Sequence, residues 1–340
     1  MSVHTSRSRP IALRILGTGE YLPAQQVPAE TFDRRWGKPA GWTLRHTGVA
    51  TRHYAGADEP ATAMGERAAR AALDAAQLQA SHIDCVISAC SLMEQAIPCS
   101  AALLHARLGL QGSGVPAFDV NATCLSFIAA LDLAACAIAA GRYQRVLIVS
   151  SEIASVGLNP DDADTAPLFG DGAAAVVLGA GDADSGSQLL SARLETYSEG
   201  IDHCRVRAGG TRLRLDHGVE ALRAGSQFEM NGRATYRLAA AKLPGFLQRL
   251  LAQAGVELAQ VRRIVPHQAS AKALRHLRVA LGLAPDALVE IIGDHGNQMA
   301  ASIPSALHQA IHSGRIVRGD LIGLVGSGAG LAFGGAVLRY

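Results

Sequence analysis

The chain has 340 residues, a formal net charge of +2, 49% hydrophobic residues and 18% charged ones. That length supports a full core in one large domain or two smaller ones, and the composition excludes a disordered chain. A charge so near neutral gives no footing to a nucleic-acid or membrane-surface role, and no apolar run reaches the length of a bilayer, so a cytoplasmic protein is expected.

The first residues, MSVHTSRSRP, lack the apolar core of a signal peptide. Ile11 to Gly17 reads as a strand, followed by a turn through Pro23. Residues 24 to 60 read as irregular and hold both tryptophans, Trp36 and Trp42, with Arg45, His46, Arg52 and His53 nearby. That segment suits a packed loop as well as a ligand-facing flap. Ala61 to Ala76 and Pro98 to Leu108 have helical composition, with a strand from Ile83 to Ala89 between them.

Ala117 to Val120 reads as a short buried strand, and Asn121 and Thr123 as caps of the Ala- and Leu-rich helix that ends at Gly141. Cys124 falls where strand hands over to helix. A helix N-terminus stabilises an anion, so a thiol there is expected to be more acidic than a free cysteine. Taken alone, such a residue reads rather as small apolar filler, as most buried free cysteines are. The other cysteines, at 85, 90, 99, 136 and 204, form no C-x-x-C pair, so neither zinc nor disulfides are expected in a cytosolic chain.

Arg145 to Ser151 and Gly170 to Gly179 read as strands, and Gly181 to Ser187 as a linker. Leu189 to Thr196 is expected to be a strand, with a basic, turn-rich stretch running on to Gly225. Helices are expected over Tyr236 to Ala254, Ala271 to Leu281 and Ser302 to His312, where Pro304 fits only a first turn. Strands are expected over Arg262 to Pro266, Leu288 to Ile292 and Asp320 to Val325, and Gly326 to Leu338 reads as a glycine turn into a strand of small residues.

The chain looks duplicated, with halves 1–182 and 187–340. LDAAQLQASHIDCVISACS, from Leu73, lies over LAQAGVELAQVRRIVPHQA, from Leu251, without a gap. Cys124 and Asn297 precede Gly141-Arg142 and Gly314-Arg315 by the same interval, and GDGAAAVVL recurs as GSGAGLAFGGAVL. Alternating strands and helices in each half predict parallel sheets covered by helices, the halves sharing buried central ones. His267, Cys124 and Asn297 all follow strands at their carboxyl ends, where ligands bind in open α/β sheets. A pseudo-twofold relation brings them to one pocket. A thiolate can attack an acyl thioester there, while an imidazole and an amide donate hydrogen bonds to an enolate. Singly, His267 reads as a core histidine, Asn297 as a turn residue, and Asp171 as a turn aspartate or a shaper of the site.

ILGTGEYLP, the Trp42 to Gly48 pattern, PAFDVNATC, FGDGAAAVVL, MNGR at Met230, VPHQAS and DHGNQMAAS together resemble the 3-oxoacyl-acyl-carrier-protein synthase III group of the thiolase fold. The resemblance implies a five-layered αβαβα fold, a homodimer, no cofactor, and a two-step decarboxylative Claisen condensation. It implies Cys124 as the acylated nucleophile, His267 and Asn297 as enolate-stabilising donors, and an oxyanion hole from the N–H groups of Cys124 and of the Gly328–Ala329 turn. It also implies Trp42 stacking on the adenine of coenzyme A. Departures fall on the substrate side. His46 and Ala163 stand where arginines are expected, Ile97 where an aromatic residue lines the partner's pocket, Ser270 where HQAN has asparagine, and Ser327 where phenylalanine is common. Arg233, Arg237, Lys242, Arg249, Lys272, Arg275 and Arg278 suit either an ordinary solvated surface or a face for an acidic carrier protein. Uncharged Gln95 to Leu104 reads as a dimer-interface segment. The expectation is a specialised condensing enzyme taking acyl groups on coenzyme A or carrier protein. Open alternatives are acyl transfer to an oxygen or nitrogen nucleophile, condensation without decarboxylation, and a non-catalytic acyl-binding scaffold.

Overall fold

A computed structural model describes residues 8–181 and 186–340. The linker expected at 181–187 lies largely outside the described residues.

The main sheet has nine strands: β1 Ile11–Tyr21, β2 Cys85–Ser88, β3 Ala117–Asp119, β4 Arg145–Glu152, β5 Gly172–Ala180, β6 Gln188–Thr196, β7 Arg263–Pro266, β8 Leu321–Gly328 and β9 Ala332–Arg339. Their spatial order is β7-β8-β9-β6-β1-β5-β4-β2-β3. One half thus runs β3-β2-β4-β5-β1. The other repeats it as β7-β8-β9-β6, with Leu288 bridging β7 in parallel at the place β3 occupies beside β2. The expected strand at Leu288 to Ile292 is reduced to that bridge, because the chain turns at once into a short helix, Ile292–His295. The halves meet where β1 and β6 pair for two residues, Ile11 with Leu189 and Ala12 with Gln188.

Each half is mixed, a correction to the parallel sheets expected. β2 pairs with β3 and β4 in parallel, but β5 runs antiparallel to both β4 and β1. The second half does the same, with β7 parallel to β8 and β9 antiparallel to β8 and β6. In the second half a tight turn between Gly328 and Ala332 returns the chain directly and leaves no room for a crossover helix, while in the first a long loop, 153–171, does the same without one.

Helices α1 Ala61–Ala75 and α2 Ser100–Arg107 cover one outer face, and α4 Gly232–Ala254 and α5 Ala271–Ala280 the other. Between the half-sheets lie α3 Ser126–Ala139 and α6 Ser302–His312; α3 touches β1, β4 and β5 on one side and β6 and β9 on the other. This is the expected five-layered αβαβα arrangement. α3 needs a nearly all-apolar surface because it has two core faces, and Phe127, Ile128, Leu131 and Ala135 are accordingly buried.

β3 corrects the expectation of a buried strand. It is the sheet edge, with Phe118 and Asp119 exposed. Its Asp119 carboxylate accepts from the N–H groups of Ser100 (3.0 Å) and Ala101 (2.7 Å), capping α2. The stretch 24–60 is ordered, also against expectation: Gln25–Pro28 pairs with Thr51–Tyr54, flanked by helices Ala29–Arg35 and Trp42–Thr47. Arg52 is a structural member of it. Its buried guanidinium donates to the carbonyls of Val27, Val49 and Pro167.

Candidate active site

Cys124 follows β3 through a tight turn. Asn121 and Thr123 build that turn and do not cap the helix: the Asn121 side-chain oxygen accepts from Thr123 N–H at 2.9 Å, and Thr123 adopts φ 54°. α3 begins only at Ser126, with no side-chain cap on it, and the Ser126 hydroxyl instead accepts from Ala122 N–H at 2.9 Å. Cys124 therefore precedes the helix and gains little from its dipole, which acts within the first turn.

The expected acidic thiol is corrected by that position. Burial pushes the Cys124 thiol up to about 12, and the Glu152 carboxylate and the Cys204 thiol push it the same way. The backbone N–H groups of Cys124 itself and of Ala329 lie within hydrogen-bonding reach of the sulfur and pull the other way. The Ala329 group arrives there because Gly328 carries no side chain. A Cβ at that position would sit 2.6 Å from the Thr123 hydroxyl.

His267 directly follows β7 and Ala89 directly follows β2, and both donate backbone N–H bonds across the sheet, to Val325 at 2.8 Å and Val149 at 2.7 Å. The duplication read from sequence thus places them alike. A Cβ on Gly326 would meet His267 Cβ and a Leu125 methyl, each at 3.0 Å, so His267 and the residue after Cys124 converge on one glycine of β8. His267 is 6% exposed, its Nδ1 has no partner among the described residues, and burial holds its pKa down at about 4. It is a neutral imidazole at pH 7.

Asn297, also buried, is held by its backbone N–H to Leu168 (2.8 Å) and by its side-chain oxygen, which accepts from Met299 N–H at 2.9 Å. Its Nδ2 reaches the carbonyl of Ala269, two residues past His267, at 3.4 Å. Asp171 lies behind. Its carboxylate takes the N–H groups of Ala55 and Ser155, and its carbonyl accepts from the Gln298 amide. Of the two readings open from sequence, it shapes the loops around Asn297.

Two residues of this neighbourhood escaped the sequence reading. Gln268 is fully buried and rivets the turn after β7 to 289–292, donating to the carbonyls of Pro266 and Val289 and accepting from Ile291 and Ile292. Glu152 ends β4, fully buried, and accepts from Ser91 and Leu92 N–H. A charged residue closing the apolar run RVLIVSSE was the available signal. Desolvation pushes its carboxyl up to about 7, against the pull of those N–H groups and of Ala300. The ordinary carboxyl value is 4.5, so between these two values the folded state binds a proton that the unfolded chain has released. That contribution is full below the lower value and is lost as pH rises through the upper one. Glu152→Gln should therefore gain stability relative to wild type by on the order of 3 kcal/mol on going from pH 5 to 8, read by urea unfolding. A constant difference would mean the backbone donors keep Glu152 ionised throughout.

The residues expected to bind substrate divide. His46 stacks on Trp42, ring centroids 4.8 Å apart, and its Nε2 lies 3.0 Å from Asp164. The Lys38 ammonium also sits over the Trp42 ring, 5.1 Å from its centroid. Ile97 is 86% exposed. Ser270 caps α5, its oxygen accepting from Ala273 N–H at 3.2 Å. Arg233, Arg237, Lys272 and Arg275 are exposed on α4 and α5. Arg249 and Lys242 do not share that face, being bound to Glu195 (2.7 Å) and Glu199 (3.2 Å).

A duplicated, five-layered sheet-and-helix sandwich with a cysteine at the mouth of its central helix defines the class: a thiolase-fold acyltransferase. Comparison with known proteins narrows it. The profile for 3-oxoacyl-[acyl-carrier-protein] synthase III matches residues 118–198, and that for the C-terminal part of the same enzyme matches 251–340. The chain is 35% identical over 332 residues to the beta-ketoacyl-[acyl-carrier-protein] synthase III of Neisseria meningitidis serogroup A, covering 96% of this chain and 99% of that one. It is 36% identical over 324 residues to the protein of that name from Acidiphilium cryptum, covering 95% and 98%. The crystal structure of 3-oxoacyl-[acyl-carrier-protein] synthase III from Aquifex aeolicus superposes with a TM-score of 0.86 at 32% identity, over 96% of this chain and 100% of that one. The chain belongs to the 3-oxoacyl-acyl-carrier-protein synthase III family. Among the described residues no helix is long and apolar enough to cross a membrane.

Proposed function

We propose that Cys124 accepts an acyl group from a thioester and that His267 and Asn297 then stabilise the enolate of a malonyl-type thioester. The observation that carries this is the pair of N–H groups, from Cys124 and Ala329, within reach of the sulfur, with an unprotonated His267 packed on the same glycine, Gly326, as the residue after Cys124. In the first step the sulfur attacks the acyl carbon, the N–H pair holds the oxyanion, and the donor thiol leaves with the proton. In the second, the bond from C2 to the carboxylate breaks and carbon dioxide departs. The electron pair moves into the enolate, C2 bonds to the acyl carbon, and the Cys124 thiolate leaves and is reprotonated. A neutral imidazole suits this role, since it can donate to the enolate oxygen without a net charge. The protein works in the cytoplasm with no cofactor.

The donor is read as a carrier protein for at least one substrate. Trp42 already carries His46 on its ring, and that histidine is held by a carboxylate, Asp164, at 3.0 Å. A histidine and an alanine cannot replace the forked donors of two arginines. Arg233, Arg237, Lys272 and Arg275 remain as an exposed basic face for an acidic carrier. One experiment tests both readings. The protein is loaded from the same acyl group on coenzyme A and on carrier protein, then given malonyl-carrier protein, and adducts, products and carbon dioxide are followed by mass. The expected result is one carbon dioxide per 3-oxoacyl product, with loading at least about tenfold faster from carrier protein. Acyl transfer to an alcohol or amine without carbon dioxide would replace condensation by its alternative, and equal loading from coenzyme A would remove the carrier preference.

A homodimer completes the reading. β3 leaves an open sheet edge, and the segment before α2 exposes Met93 (52%) and Ile97 (86%), apolar surface that a second copy would cover. Light scattering at micromolar concentration should give twice the chain mass; a monomer would remove it.

A further inference from the structure

Behind Asn297, in the layer between the half-sheets, lies a carboxylate that the two reaction steps do not use. Glu20 stands near the end of β1, paired with Ala174 of β5. Alternation along the strand fixes where its side chain goes. Gly17 and Gly19 face α1 so closely that a Cβ on either would sit 2.3 Å from a carbonyl oxygen of that helix. Thr18 and Glu20 therefore face the other way, onto α6. The Thr18 hydroxyl lies 2.9 Å from His308 Nδ1, and the Glu20 carboxylate accepts from the Gln309 amide. Its other oxygen lies 3.2 Å from Nε2 of His295, on the short helix 292–295. The side chains of Glu20 and His295 are 7% and 10% exposed.

We propose that Glu20 is a positioning residue for the condensing step: through His295 it holds the loop that carries Asn297, and so aims the Asn297 amide at the enolate. The inference rests on the role given to Asn297 above and adds the group that sets its direction. Three observations carry it. First, the chain between His295 and Asn297 has no slack. A Cβ on Gly170 would sit 2.1 Å from the His295 carbonyl oxygen, and Gly296, at φ 67°, would place a Cβ 2.9 Å from the Leu168 carbonyl oxygen. The Asn297 N–H and carbonyl are both bonded to that same segment, to Leu168 at 2.8 Å and to Gly170 at 3.2 Å. The His295 ring, on Glu20, ties this tightly drawn loop to β1 and α6.

Second, the Asn297 amide is firmly held on one side only. Its oxygen accepts from Met299 N–H at 2.9 Å, whereas Nδ2 reaches Ala269 at 3.4 Å, a long hydrogen bond. The donor that the enolate needs is therefore aimed by the position of the loop more than by a bond of its own. Third, the pair is an expensive way to fill a core. A buried ion pair adds little net stability over apolar side chains of similar volume, and its use lies in selecting one arrangement. Burial pushes the Glu20 carboxyl up, but His295 from the loop, with Gln309 and His308 from α6, outweighs burial and holds the group below its ordinary value. Glu20 is thus a charged, directional anchor at neutral pH.

The test separates the two steps on the full-length protein. Glu20→Gln keeps the shape and removes the charge, and His295→Ala breaks the pair from the loop side. Thr18→Val removes the neighbouring bond between β1 and α6 and leaves His295 alone. Each is loaded at Cys124 and then given malonyl-carrier protein over a range of concentrations. Loading is the check on folding, and the first two variants approach the pair from opposite sides, so either decides alone. Both are expected to load within about threefold of wild type. Both should lose at least about tenfold in the saturating rate of carbon dioxide release, with little change in the half-saturating concentration. Thr18→Val is expected to match wild type throughout. In an Asn297→Ala background Glu20→Gln should lower the rate no further, because it acts through the group already removed. The proposal is overturned if Glu20→Gln or His295→Ala releases carbon dioxide at the wild-type rate, or if Thr18→Val loses as much as they do. It is also overturned if Glu20→Gln lowers the rate of Asn297→Ala as far as it lowers that of wild type. If Asn297→Ala itself releases carbon dioxide at the wild-type rate, the role of Asn297 falls and this inference with it.

Discussion

Cys124→Ala will gain no acyl mass from any thioester that loads the wild type, and condensation will fall by at least about a thousandfold. The chain holds five other cysteines, so the site of the adduct is the point at issue. Cys90 is the strongest rival by position, at the end of β2 with its sulfur 3.3 Å from Ser88 Oγ and accepting from Ser151 N–H at 3.2 Å. Burial pushes Cys90 up to about 12 as well, but among the described residues a single backbone N–H, from Ser151, serves it beside the Ser88 hydroxyl, and no pair of N–H groups does. Acidity therefore does not choose between the two thiols. The choice falls to the Cys124 and Ala329 N–H groups, which favour an anion on the sulfur and then on the acyl oxygen. A thiol held near 12 is a minor thiolate at neutral pH, and its deprotonated fraction rises about tenfold per pH unit. Loading should accordingly quicken from about pH 6 to about 9, and iodoacetamide should label free Cys124 more slowly than a simple thiol at pH 7. An adduct on another cysteine in the alanine variant would displace Cys124 from the mechanism. Rapid labelling at pH 7 would show that its thiol is acidic after all.

What could be read in the residues was the plan, and what could not was the local environment. The gapless overlay of the segments from Leu73 and Leu251 was sound because equivalent strands in the two halves bury equivalent faces, and β2 and β7 are followed alike by Ala89 and His267. The direction of β5 and β9 was not legible. A small-residue strand beside a glycine turn has the same composition whether the chain hairpins back or crosses over. Cys124 shows the limit for electrostatics. Its position beside a helix start was legible, but burial of the thiol, with a buried carboxylate from a distant strand and two residues of offset, reverses the direction expected from the dipole. Glu152 and Gln268 were missed for a related reason: each is polar, and only the fold shows that it is fully buried and which backbone groups it satisfies. Ser270 was read through the resemblance as a substrate residue, while in the fold its side chain caps α5.

His267→Ala and Asn297→Ala will both still take an acyl group on Cys124 and both lose condensation, by at least about a hundredfold. The geometry divides the labour between steps. The sulfur and its two N–H partners lie on the turn into α3 and the turn at Ala329, while His267 and Asn297 lie on the neighbouring turns after β7 and after the 292–295 helix. Deleting an imidazole or an amide leaves the N–H pair in place, so loading should change by no more than a few fold. The enolate has no such backbone pair and depends on the two side chains. For Asn297 a structural role must be separated from a chemical one, because its side chain also accepts from Met299 and donates to Ala269. Asn297→Asp keeps the acceptor and removes the donor. If the donor is what matters, Asn297→Asp condenses no better than Asn297→Ala while melting closer to wild type. The pH profile gives a second check. With His267 held near 4, the imidazole is neutral throughout the working range, so decarboxylation by the loaded enzyme should stay flat from about pH 6 to about 8 and decline only on acidification toward the His267 value. A decarboxylation rate in His267→Ala equal to wild type would remove the imidazole from the second step, and a fall in loading as large as the fall in condensation would assign it to the first.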